Sequence, residues 1–236
     1  MKLTLALIAL ARASDYDDDI LADDVWSTDR QAEGQVARSG TRGLDDERRY
    51  IDLHDIAKKI WKKAGYEGKN RFDERKYWAY GCHCFLLGDR PMSEMGKGAP
   101  VDALDVRCKA YKDCQKCVRA KHGDSCIGEL VKYGWRYRSK SKDFECQQQQ
   151  NTCENDLFQC DLKLAQDTFA MKDTFNTDYH AFWSQLPNGF DNREDSNCPI
   201  NGGIPVEHDC CGGNGNPYWW MNKNTHTCIA NKPVEN

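Results

Sequence analysis

Cysteine is absent from the first 81 residues of this 236-residue chain, although 13 follow between Cys82 and Cys228. The N-terminal third therefore has no disulfide framework, and the remainder has a dense one. Apolar residues are also scarce. With 39% hydrophobic and 30% charged residues, the chain can build only a modest core and needs covalent help. Beyond the N-terminus no run approaches the length that spans a bilayer. There is no phosphate loop, dinucleotide fingerprint or zinc-like Cys-His spacing, which removes those binding classes. No internal repeat or heptad array occurs, and the one low-complexity tract is the four glutamines Gln147 to Gln150. Charge excludes a further class. From Tyr50 to Asn236 there are 26 basic and 26 acidic residues, a balance that does not suit nucleic-acid binding.

The N-terminus has the pattern of a secretory signal over residues 1–13. Lys2 supplies the positive start, Leu3 to Ala11 the short apolar run, and Ala11-Arg12-Ala13 the small-x-small cleavage pattern. The expected protein is secreted, which permits disulfides. Residues 14–49 read as an acidic disordered or pro-segment. Between 14 and 47 it carries eleven Asp and Glu against three Arg. It ends at the dibasic pair Arg48-Arg49, where the segment is either cut or kept as a solvated tail.

Residues 50–66, "YIDLHDIAKKIWKKAGY", have the apolar spacing of an amphipathic helix closed at Gly65. Lys58, Lys59, Lys62 and Lys63 occupy the other face, with Trp61 among them. Residues 101–122 and 151–170 are two further helical candidates, and 132–145 reads as an exposed hairpin. Residues 176–236 form a Gly/Asn/Trp-rich tail with four cysteines, in which "CCGGNGNPYWW" is a turn followed by an aromatic cluster. The fold class is mainly α and disulfide-rich.

Residues 50–175 resemble secreted phospholipase A2. The resemblance rests on the amphipathic first helix, "YGCHC" opening a loop, "PVDALDVRC" entering a helix, "CD" in a later helix, and the order of the cysteines. It implies a helical core with a small β-hairpin, followed here by an irregular cysteine-rich tail. It also implies bridges Cys84–Cys108, Cys114–Cys160 and Cys126–Cys153. One family bridge is missing at both ends, where Arg107 and Asp167 stand and suggest an ion pair. Such a pair is weak, at about 0 to 1 kcal/mol against about 2 to 4 for a disulfide. Cys146 loses its family partner to Phe158, and Cys117 is additional and available to it. Nine cysteines before the tail and four within it suggest that Cys82 pairs into the tail, with one thiol left over.

The family uses a His as general base on water, and an Asp that ligates calcium. The resemblance places Tyr111 and Lys112 at these two positions, and Asp161 where an Asp orients the His. A tyrosine with an ordinary pKa of about 10 keeps its proton near neutrality, so Tyr111 makes a poor base. Its hydroxyl has Asp161 as an expected acceptor. The former calcium loop, His83 to Gly88, has Phe85 and Leu87 in place of two glycines and keeps only Gly88. Bulky residues there resist the backbone that turns carbonyls inward. No catalytic, metal or cofactor site is expected intact. Among the histidines only His83 lies in that loop, while His54 reads as a surface residue and "EHDCC" at 207–211 lies outside any helix.

Two function classes follow. One is a non-catalytic binding protein for a phospholipid surface, a receptor or an extracellular protein or glycan. Its candidate surface is Lys58, Lys59, Lys62 and Lys63 on the first helix and Lys109 and Lys116 on the second, with Trp61 and Trp78 as interfacial aromatics. The alternative is a divergent, active phospholipase A2 that hydrolyses the sn-2 ester, under which calcium would be needed. The tail, "DCCGGNGNPYWW", is weakly similar to double-cysteine modules of matrix proteins. Sequence leaves the oligomeric state open.

Overall fold

In the computed structural model, which describes residues 51–84, 96–200 and 206–236, Leu53, Ile56, Ala57 and Trp61 bury one face of helix α1 (Ile51–Lys63). The chain leaves that helix through Gly65, whose φ of +86° is the left-handed turn that glycine adopts without a Cβ penalty. Helix α2 (Ala103–His122) starts where the Asp102 carboxylate accepts from the Asp105 N–H at 2.8 Å, and stops at Gly123. Helix α3 (Cys153–Ala170) is capped by Thr152, with Glu154 and Asp156 in its first turn. Acidic residues there complement the helix dipole. Between α2 and α3 runs an antiparallel hairpin, β1 (Trp135–Arg138) and β2 (Asp143–Cys146), with Trp135 opposite Cys146.

The helices α1, α2 and α3 share one core in which Ile56, Leu104, Val118, Leu157, Phe158 and Leu164 are at most 2% exposed. Trp61 belongs to this core. It meets Phe72 and Phe169 edge-on at 5.0 and 4.9 Å and is 4% exposed. It is therefore not on the lysine face where the sequence suggested it, and has no surface to offer a membrane.

The tail is more regular than its composition suggests. It forms hairpin β3 (His208–Gly213) with β4 (Asn216–Asn222), and hairpin β5 (His226–Ile229) with β6 (Lys232–Glu235). Asn214 and Gly215 both have positive φ, +53° and +81°, as a tight hairpin turn requires. The β3–β4 hairpin lies on α2 and α3, and its Tyr218 is part of the main core.

Six disulfides hold the whole. Cys84–Cys108, Cys114–Cys160 and Cys126–Cys153 are bonded, and Cys82 reaches the tail at Cys198. Cys211 pairs with Cys228. Cys117 does not pair with Cys146; it joins Cys210 of β3, and Cys146 is free. The expected Arg107–Asp167 pair is not formed either. Asp167 accepts from Lys163, one turn earlier on its own helix, at 2.5 Å, and Arg107 is exposed.

All described residues fall within one unit, residues 45–236. The expected signal at 1–13, the segment 14–49, and Phe85, Leu87 and Gly88 lie outside the described residues. No described helix is long and apolar enough to cross a membrane.

Candidate functional site

The Cys114–Cys160 bridge fixes α2 against α3, and it brings Tyr111 to Asp161. The Tyr111 hydroxyl donates to Asp161 Oδ1 at 2.8 Å and accepts from Gln115 Nε2 at 2.5 Å. The Tyr133 hydroxyl donates to the other oxygen, Oδ2, at 2.5 Å. Each carboxylate oxygen thus holds a phenol, and the cluster is buried: Tyr111 5%, Gln115 2%, Tyr133 6% and Asp161 6% exposed. Burial pushes the Asp161 carboxyl up to about 7, against the downward pull of the two phenols. The same burial, with Asp161 beside it, drives the Tyr133 hydroxyl upward. Both tyrosines donate hydrogen bonds to the one carboxylate. Sequence reading finds Tyr111 and Asp161 but not Tyr133 or Gln115. Gln115 lies one turn beyond Tyr111, and that spacing was its available signal.

Lys112 follows Tyr111 and is 1% exposed. A lysine offers hydrogen-bond donors and no oxygen, so this position cannot supply what calcium needs. Among the described residues no group of three His, Cys, Asp or Glu is placed to hold a metal.

Asp105 secures the loop entering the site. It accepts from the backbone N–H of Cys82 and His83 at 2.8 Å each, and of Val101 at 3.0 Å. Burial nevertheless pushes its carboxyl up to about 6. Gly81, at φ +59°, is required here because a Cβ would collide with that carboxylate. His83 is 2% exposed, with Nε2 3.0 Å from the Gly98 carbonyl and Nδ1 against the backbone of Gly96. Burial lowers its basicity. It is a packed residue, remote from any role as a water-facing base. His54 is partly covered between the carboxylates of Asp55 and Glu74, at 3.7 and 3.6 Å.

The candidate basic surface divides in two. Lys58, Lys62 and Lys63 of α1 are exposed, and Lys59 and Lys63 lie 5.6 and 5.0 Å from the Tyr137 ring of β1. On α2 the lysines are engaged. Lys109 binds Asp113 at 2.7 Å, and Lys116 sits 3.6 Å from the centre of the Trp220 ring. Lys121 binds Asp156 at 3.0 Å. Lys109 and Lys116 therefore do not form the open patch the sequence suggested. The β3–β4 hairpin covers α2 on one side, and a carboxylate of the same helix takes Lys109.

No family model matches the chain. It is 36% identical over 110 residues to a mouse protein named "Phospholipase A2, membrane associated", covering 46% of this chain and 66% of that one. Against a guinea-pig (Cavia porcellus) protein of the same name the identity is 32% over 122 residues, covering 52% and 74%. A human protein named "Group IID secretory phospholipase A2" is 29% identical over 110 residues, covering 45% and 65%. The chain thus spans about two thirds of the length of these curated relatives, and the matches cover about half of it.

Proposed function

The chain belongs to the phospholipase A2 family, and from that premise we propose that it is a secreted member that holds an anionic lipid surface without cleaving it. The observation that carries this reading is the Tyr111 hydroxyl donating to Asp161. A general base must take a proton from water near the working pH. Here the residue at that position keeps its proton and donates a hydrogen bond to a buried carboxylate. Lys112 at the neighbouring position is no calcium ligand, so the residues present do not fit the metal. The mechanism left to the fold is adhesion.

The lipid reading rests on α1. Its Lys58, Lys62 and Lys63 are exposed, with the Glu67 carboxylate 4.0 Å from Lys62, and each such cation near an anionic membrane contributes about 1 kcal/mol. A relative's name, "membrane associated", supports the same partner. Six disulfides are at home in an oxidising compartment, in keeping with a relative named "secretory".

Co-sedimentation of the purified chain with vesicles, in chelator, tests this. Pelleting with anionic vesicles only, weakened by high salt, is expected. Absence of pelleting in every condition would overturn the lipid reading and leave an extracellular protein or glycan as the partner.

A further inference from the structure

Twelve of the 13 cysteines are bonded in pairs, all within this sequence, which leaves Cys146 without a mate. It is half-buried and lines a cleft of about 430 Å³ at the junction of β2 and α3. That volume lies within the roughly 300–1,000 Å³ of small-molecule sites. The lining is unusual in being mostly carboxamide: Gln149, Gln150, Asn155 and Gln159 accompany Glu145 and the thiol. Asn155 is 4% exposed, and its Oδ1 has no hydrogen-bond partner among the described residues. Buried polar atoms are rarely left so. Its amide nitrogen is occupied by the Gln148 carbonyl at 3.0 Å.

We propose that this cleft is a modification site in which Cys146 forms a mixed disulfide with a small amino-acid or peptide thiol. Carboxamides donate to a carboxylate and accept from an ammonium or amide N–H, so the lining suits a zwitterionic thiol such as cysteine or glutathione. The buried, unpartnered Asn155 oxygen is the acceptor this lining leaves for one of its N–H groups. A bridge to a second copy, which requires Cα atoms within about 4.4–6.8 Å of each other, is the competing outcome of the test below. The reaction is thiol–disulfide exchange with a low-molecular-weight disulfide. Cys146 loses its proton to solvent, and its thiolate attacks one sulfur of the disulfide. The new S–S bond forms as the old one breaks, and the departing thiolate takes up a proton. Cys146 is oxidised and half of the small disulfide is reduced.

The test uses the full secreted chain. Peptide mapping without reductant identifies any adduct on Cys146. The purified protein, freed of any adduct, is then incubated with oxidised glutathione or with the neutral bis(2-hydroxyethyl) disulfide. One equivalent of glutathione is expected to enter, none in Cys146→Ser. Its rate should rise with pH, since burial pushes this thiol above its ordinary range and only the thiolate attacks. Gln159→Ala should slow glutathione about fivefold, roughly the value of one hydrogen bond, and leave the neutral disulfide unaffected; Asn155 is kept in this comparison because its side chain hydrogen-bonds the Cys146 thiol itself. If that variant does not fold, Gln149→Ala supplies the same comparison. No incorporation, equal slowing of both probes, or a Cys146-dependent covalent dimer would each overturn the proposal.

Discussion

Replacing Asp161 with asparagine removes the buried carboxyl that both Tyr111 and Tyr133 hold, and the response of stability to pH then follows from its titration. In the folded protein this carboxyl is pushed from the ordinary aspartate range up to about 7; the unfolded chain releases the same proton near pH 4. Between those values the native state binds more protons than the unfolded state. Stability therefore falls as pH rises through this window and levels off above about 7. Three pH units at about 1.4 kcal/mol each make roughly 4 kcal/mol the upper contribution of Asp161. Asp105, pushed up to about 6, acts in the same direction. Asp161→Asn keeps the shape and cannot titrate, so across this window its denaturation free energy should change by up to about 4 kcal/mol less than the parent's. The residual slope contains Asp105 and, in the opposite direction, the buried His83 and His180, whose basicity burial lowers. Urea denaturation of both proteins at several pH values provides the measurement. Identical slopes would mean that the phenols, and not burial, control this carboxyl, and would refute the reasoning.

Converting Lys58, Lys62 and Lys63 together to alanine should weaken binding to anionic vesicles by about 3 kcal/mol, roughly a hundredfold. Lys109→Gln, whose lysine already binds Asp113, should leave it unchanged in the same co-sedimentation assay. Trp61→Ala removes a ring packed between Phe72 and Phe169 and should cost about 3–5 kcal/mol by chemical denaturation. A loss below about 1 kcal/mol would show that Trp61 is not a core residue. Tyr111→His with Lys112→Asp should remain inert toward phospholipid, because the sequence of the loop at Phe85 and Leu87 still departs from the glycines the family uses. Calcium-dependent fatty-acid release by that double variant would contradict this.

The helices were legible because their signals are local: the Leu53-Ile56-Ala57 spacing and Gly65 for α1, while the caps that bound the other two, Asp102 and Gly123 for α2 and Thr152 for α3, emerge from the structure. The side on which Trp61 falls was not. It lies next to four lysines in sequence, and only the helical rotation that places it eight residues from Leu53 carries it inward. The Tyr111–Asp161 contact could be anticipated from the resemblance, whereas Tyr133 comes from a separate loop with no periodic signal. The tail hairpin was written in Asn214-Gly215, a two-residue turn followed by strand-forming aromatics. What it covers was not. The pairing of Cys117 with Cys210, and with it the loss of an open basic face on α2, depends on a long-range packing that no local pattern encodes.

The central proposal is that the residue standing at the base position donates a hydrogen bond to Asp161 and so leaves the site without a general base for hydrolysis. Fatty-acid release from anionic phospholipid vesicles, measured on the purified chain with calcium and again with chelator, tests this most directly. The account predicts release no greater than the protein-free blank in both conditions. Release above the blank that depends on calcium, and that Tyr111→Phe abolishes, would contradict it.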